Sequence, residues 1–404
     1  VSALRFGYVT APLLGALWMA TLAVTVAVAM SFATGDAFRP AIGWSLVWGA
    51  LGGLALLAIR PGRAAGALVA VAVVALIAAG AGPVATGPDV PALARGICGL
   101  ILGAGFAVST LRIVAGLVPG ALSRHEFEGA VIRFLTGFGY IFFTAIVLIP
   151  FYVMVMTSLK NQSELVMNPL DFSIDLSKGW DLFRSYEELF RDFNFGTYMI
   201  NSALISVLTV IITLLFAVPG AYAVARLRFR GRAAFSRSVL LIYMVPMIVL
   251  ALPIYIAFSM TGLRNTFIGI ILIYPVTTIP VALYMLQGYF RGLPSEVEEA
   301  GLMDGLSRLA VIWKITLPLS LPALASVSLY VFMIAWNEFL LAFMLLDDPS
   351  KFTLTRGIAS LNSAEIPRQH LMAGSVVATV PIMVIFLGLE RFMTKGLTAG
   401  SVKG

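Results

Sequence analysis

Apolar runs of about twenty residues recur along the whole chain, and nothing else in the sequence restricts the fold as strongly. A run of that length crosses the hydrocarbon core as a helix, because in lipid each backbone polar group has to be satisfied within its own segment. The sequence therefore predicts an all-α, polytopic membrane protein of about 10 transmembrane helices. The candidate spans are residues 11–33, 41–59, 64–85, 93–118, 134–158, 197–225, 235–260, 267–289, 323–346 and 371–392. With 60% hydrophobic and 12% charged residues among 404, the chain is outside the range of soluble domains.

The first four spans form one block, residues 1–122, followed by a charged joint from Ser123 to Arg133 and a second block, residues 123–404. The first run is longer than a signal peptide and three more follow it, which argues against a cleaved leader. Val1 in place of methionine points to an alternative start or a missing beginning. Gly96, Gly99 and Gly103 recur at helical spacing and predict a close helix contact. Between the fifth and sixth spans, residues 160–195 are polar but carry Trp180, Phe183, Tyr186 and Phe190, so a small folded cap with short helices is expected. Pro219, Pro246, Pro253, Pro275 and Pro280 are expected to interrupt the later spans. Cys98 stands alone, which excludes an internal disulfide, and His125 and His370 are too far apart in sequence to suggest a metal site.

Lysine and arginine set the orientation. With ten spans and the N-terminus inside, seventeen of the 27 basic residues fall on the cytoplasmic side and ten outside. Arg226, Arg228, Arg230, Arg232 and Arg237 follow the sixth span with no acid among them. The net charge of +7 is thus a topology signal and implies no nucleic-acid partner. Both termini and the polar interval after the eighth span are expected in the cytoplasm.

That interval, Pro294 to Pro322 within a loop of residues 290–322, reads as helix, turn, helix. Ser295 and Glu298 have capping-box spacing, and Glu296, Glu298 and Glu299 sit where the positive end of the helix dipole favours acids. Asp304 and Gly305 break the helix. A second run, Leu306 to Leu317, is expected to stop at Pro318. Val297, Ala300 and Gly301 trace a narrow small-residue face fit to enter a groove.

Glu299-Ala300-Gly301, then Asp304-Gly305, then Ile315-Thr316-Leu317-Pro318 resemble, in residue type and spacing, the EAA loop of permease subunits in binding-protein-dependent ABC importers. Gly301 replaces the usual second alanine, a departure expected to loosen packing. The resemblance continues through Asn201-Ser202, Tyr222-Ala223 with Arg226, Pro253-Ile254-Tyr255, Asn265-Thr266 and Trp336-Asn337-Glu338-Phe339. The ending, Gly396-Leu397-Thr398 and Gly400 to Gly404, is similar to the maltose-type (MalG-like) branch. The resemblance covers about residues 134–404, leaving four extra spans in front.

It implies a type I importer permease core of six helices in residues 123–404, in a bacterial or archaeal cytoplasmic (inner) membrane. It also implies a second permease subunit, two cytoplasmic ATPase subunits and an extracytoplasmic solute-binding protein. The chain would be a transport subunit and no enzyme, binding no cofactor itself, with ATP and Mg on the ATPases. By the same resemblance Glu298, Glu299, Ala300, Gly301, Asp304, Gly305, Ile315, Leu317 and Pro318 couple to an ATPase. The tail, with Leu397, Lys403 and Gly404, would reach between the ATPases, and residues 347–370 or 160–195 would meet the binding protein. Asn337 and Glu338 are candidates for the translocation path or a gate, since an ionisable group inside a span is costly; a structural pairing is the plainer reading of Glu338. The implied cargo is a carbohydrate such as maltose, trehalose or an α-glucoside, with glycerol phosphate compounds as the neighbouring alternative. An ion-coupled transporter would show repeated halves and midplane carboxylates. A P-loop ATPase would carry Gly-Lys-Ser/Thr after a glycine-rich loop, and neither pattern is present in the sequence.

Overall fold

The structure, a computed structural model, describes residues 3–58, 63–169, 171–363 and 365–398. The chain is helical almost throughout and divides into two compact units, Val1–Leu182 and Phe183–Gly404.

In the first unit α1 (Gly7–Thr34) packs along α2 (Ile42–Ala58), and α3 (Arg63–Ala78) along α4 (Ala92–Ile113). Both contacts depend on missing side chains. A Cβ at Gly15 would stand 2.4 Å from the Gly49 carbonyl oxygen, and one at Gly103 would stand 2.6 Å from that of Ala70. Gly99 also meets α3, whereas Gly96 faces open space, so two of the three spaced glycines make the expected contact. A short antiparallel ladder, β1 (Phe38–Pro40) with β2 (Val84–Thr86), joins the α1–α2 and α3–α4 connections and, with an isolated bridge between Phe6 and Ala121, departs from an all-α fold. The fifth helix, α5 (Arg124–Ser158), starts at a true capping box: Ser123 Oγ accepts from the Glu126 N–H and the Glu126 carboxylate accepts from the Ser123 N–H. By contact α5 packs with α1 and α4, within the first compact unit. Its most apolar stretch is entirely unburied, as a lipid-facing helix requires. A short α6 (Gln162–Met167) follows, with Lys160 buried against Asp171 at 2.8 Å.

The second unit comprises α7 (Arg184–Asp192), α8 (Phe195–Arg226), α9 (Arg232–Tyr243), α10 (Met247–Met260), α11 (Phe267–Gly292), α12 (Ser295–Met303), α13 (Arg308–Leu319), α14 (Leu321–Asn337), α15 (Leu340–Leu345), α16 (Leu354–Ser360) and α17 (Arg368–Thr398). Helices α8, α11 and α14 pack together around Tyr222, Leu286, Phe290 and Val331 at one end, and around Tyr198, Tyr274 and Trp336 at the other.

Among the described residues six helices are long and apolar enough to cross a membrane, and α13 with α14 makes a seventh as a pair bent by 76°. The other expected spans are represented by apolar helices of 17 residues or fewer, α2, α3 and α10. The expected seventh span is broken between Tyr243 and Met247, where Pro246 cannot donate to the ladder. Pro219, Pro253, Pro275 and Pro280 lie inside continuous helices instead of interrupting them. The ninth ends at Asn337 and resumes at Leu340.

Candidate functional site

The loop helix α12 begins one residue earlier than capping-box spacing requires. Pro294 holds extended backbone at the N-cap, so Ser295 is already the first helical residue and makes no capping bond. Glu298 does not reach back to the helix start. It is buried, and its carboxylate accepts hydrogen bonds from Tyr222 Oη at 3.2 Å and Thr316 Oγ1 at 3.0 Å. Arg226 Nε lies 3.5 Å from it, and Arg226 Nη2 donates to the Leu293 carbonyl at 2.6 Å. The Ser295–Glu298 capping box is thus corrected: distant hydroxyls and a guanidinium outcompete the local partner, because a carboxylate taken out of water needs every bond available to it.

The C-terminus of α12 folds as the sequence predicts. Gly305 takes a φ of +84°, its N–H bonds to the Leu302 carbonyl and the Leu306 N–H to that of Gly301. This doubly bonded Schellman ending needs a left-handed residue there. Gly301 faces inward, where a Cβ would lie 2.5 Å from Ile315 Cδ1. It therefore tightens the approach of α12 to α13 instead of loosening it, and it is not on the outward face with Val297 and Ala300. That outward face carries Glu296, Val297, Glu299, Ala300 and Met303, all exposed.

Ser307 caps α13 by accepting from the Ala310 N–H. The helix does not stop at Pro318. Residues Ile312–Thr316 widen into a π turn, in which the Leu317 N–H reaches the Ile312 carbonyl. The wider turn relieves the clash that a proline ring makes with the preceding turn. Pro318 continues to Leu319, and the break falls at fully buried Ser320, whose Oγ donates to the Thr316 carbonyl at 2.7 Å. Ile315 and Leu317 are half-buried, and Asp304 and Pro318 are exposed. Leu309 and Trp313 on α13 are about 70% exposed, so apolar and acidic groups share this end of the unit. Beside them opens a cleft of about 810 Å³ bounded by Arg226, Arg228, Arg308, Glu298 and Glu299.

Tyr222, Arg226 and Thr316 are the partners of Glu298 that sequence reasoning left without a role, although all three stood among the matched positions. The signal was a tyrosine and an arginine one turn apart at the end of a span.

At the other end of α8, Asn201 Nδ2 donates to the carbonyls of Ser350 and Phe352, both at 3.0 Å, and Ser202 Oγ accepts from the Leu354 N–H. Asn265, at φ +56°, accepts from the N–H groups of Asp347 and Asp348. The matched positions thus pin the backbone of residues 347–354. Glu338 is placed nearby as a cap: its carboxylate accepts from the N–H groups of Leu341 and Ala342, at 2.8 and 3.1 Å. Asn337 is exposed and bonds within its own helix, to the Met333 carbonyl. Lys403 and Gly404 lie outside the described residues, as does the side chain of Leu397.

Residues 217–398 match the family model of the binding-protein-dependent transport system inner membrane component. The chain is 38% identical over 270 residues to the inner membrane ABC transporter permease protein YcjP of Escherichia coli, covering 66% of this chain and 95% of that one. It is 33% identical to the trehalose/maltose transport system permease protein MalG of Thermococcus litoralis, over 69% of this chain and 99% of that one. A crystal structure of a bacterial ABC transporter involved in the import of the acidic polysaccharide alginate contains a chain that superposes with a TM-score of 0.56 at 25% identity. That match covers 67% of this chain and 98% of the other.

Proposed function

This chain belongs to the family of binding-protein-dependent transport system inner membrane components, and from that premise we propose that it is the permease subunit of an ATP-driven importer that carries an oligosaccharide or glycoside into the cytoplasm. The observation that carries this reading is a relative named for trehalose/maltose transport whose length is matched to 99%, together with the helix–turn–helix at residues 295–319, whose outer face is exposed.

In this reading residues 123–404 supply the permease core and residues 1–122 an added membrane block. Helix α12 docks on an ATPase through Glu299, Ala300 and the exposed Met303, with ATP and Mg held by that partner. An acid in the first turn of a helix pairs naturally with arginine on another chain. The arginines after α8 favour a cytoplasmic location for this end, and the reading puts both termini on the same side. A second permease subunit completes the path, and a solute-binding protein meets the loop of residues 347–370, the first part of which, residues 347–354, is held by Asn201, Ser202 and Asn265.

The test is uptake in proteoliposomes containing this chain, its partner permease and ATPases. Maltose, trehalose and an α-glucoside are offered with the cognate binding protein. Uptake that requires both ATP and the binding protein is expected; uptake that follows an ion gradient without ATP would overturn the reading. Uptake of a glycerol phosphate compound in preference to every sugar would overturn the cargo assignment alone.

A further inference from the structure

We propose that Glu298, and not the exposed Glu299, is the positioning residue that joins α12 to the membrane helices, so that displacement of the loop helix passes into α8 and α14. The proposal rests on the reading of the chain as an ATP-driven permease.

Four observations lead to it. First, among the described residues the side-chain hydrogen bonds that α12 makes to other helices are those of Glu298, to Tyr222 on α8 and Thr316 on α13. Its remaining anchorage is the apolar contact of Gly301 with Ile315 and Val311, and the turn into Leu306. Second, the carboxylate sits at the junction of all three elements. Tyr222 and Arg226 stand in the last two turns of α8, and Thr316 lies four residues before the bend at Ser320. Arg226 also holds the Leu293 carbonyl, so one guanidinium touches both the segment leading into α12 and the carboxylate inside it. Third, the location is costly. The side chains of Glu298 and Arg226 are 10% and 13% exposed, and burial of an ion pair is weak evidence for stability as such. Fourth, an inexpensive alternative was available, because the surface cap offered by Ser295 is formed at Ser123 with the same spacing.

Glu299 differs in each respect. It is exposed where Glu298 is buried, and at the rim of the cleft that both border it can meet another chain. Two adjacent glutamates thus divide the work. Glu299 faces the partner, and Glu298 faces inward and makes the helix move with the membrane segments.

The experiment measures solute taken up per ATP hydrolysed in proteoliposomes containing the complete complex. Glu298→Ala is expected to leave ATP hydrolysis within about threefold of the parent while uptake per ATP falls tenfold or more. Glu298→Gln, which keeps an acceptor oxygen for one hydroxyl and offers its amide N–H to the oxygen of the other, should recover most of that ratio. Should Glu298→Ala fail to assemble, the Tyr222→Phe/Thr316→Val double variant retains the carboxylate, removes its hydroxyl donors and is expected to lower the same ratio. Glu299→Lys should instead weaken association with the ATPase and leave the ratio of the surviving complexes unchanged. A purely structural Glu298 would lower assembly, hydrolysis and uptake in step. An unchanged ratio in assembled Glu298→Ala, or in the double variant, overturns the proposal. A parent complex that transports without ATP overturns the underlying reading instead.

Discussion

Ser123 and Ser295 each stand three residues before a glutamate at the start of a helix, and the two glutamates end in opposite surroundings. At Ser123 the pair closes on itself at the surface, each side chain answering the other's backbone N–H. At Ser295 the proline ahead shifts the helix start, and Glu298 turns inward to a tyrosine, a threonine and an arginine from elsewhere in the chain. The difference shows when a local rule applies. A capping bond is worth about 1 kcal/mol, whereas hydrogen bonds to a charged group contribute about 1.5–3 kcal/mol each. Once the chain can bring two hydroxyls to one carboxylate, the cap loses.

The contrast is broken most directly at Gly301, which lets α12 lie close enough for Glu298 to reach its partners. Gly301→Leu would overpack the contact with Ile315 and should lower stability by about 3 kcal/mol, measured by unfolding in mixed micelles. Alanine should cost much less, since the atom it meets is the tip of a flexible side chain. Thr316→Val removes one donor from the buried carboxylate and should cost about 2 kcal/mol. Its effect should be less than additive with Tyr222→Phe, because the two bond the two oxygens of one carboxylate. The capping serines give the sharpest paired comparison. Ser123→Ala should cost about 1 kcal/mol and speed hydrogen exchange at the start of α5, while Ser295→Ala should stay within about 0.5 kcal/mol of the parent.

The smallest effect is expected from acid at Asp171, a carboxylate intermediate between the two. Partial burial raises its pKa, but bonds from Lys160 and Ser173 outweigh this and bring it down to about 2 from 3.8. A depressed carboxyl stabilises the fold fully above its unfolded value and loses that contribution as pH falls toward the folded value. The segment around Lys160 and Asp171 should therefore hold at pH 5 and loosen between pH 4 and 2, read by hydrogen exchange. Lys160→Met should move the loosening to higher pH.

The spans were legible because apolar length alone decides whether a helix crosses lipid, and α1, α4, α5, α8, α11 and α17 follow that rule. The breaks were less so. Residues 323–346 read as one span, but the Glu338 carboxylate captures two N–H groups and starts a new helix. Likewise Pro318 reads as a stop, yet a π turn carries the helix past it. The loop at residues 294–322 could be found from its spacing. Its inner half could not, because Tyr222 lies 76 residues from Glu298 and periodicity holds no information about such a pairing. The positions matched around Asn201 and Asn265 were visible as a pattern and acquired a physical meaning only when their amides were seen to hold the backbone of residues 347–354.

The bend at Ser320 has a mechanical consequence. With α13 at 76° to α14, one helix running along the membrane normal leaves the other nearly in the plane of the surface, so the pair has the shape of a crank. The arm, Arg308 to Leu319, is roughly 18 Å long at 1.5 Å per residue. A sideways push of about 2 Å at its far end, the size of helix shifts at subunit interfaces, would turn the shaft by roughly 6°. Trp336, one residue from the end of that shaft and hydrogen-bonded to the Ala378 carbonyl on α17, would turn with it and carry the torque to the last helix.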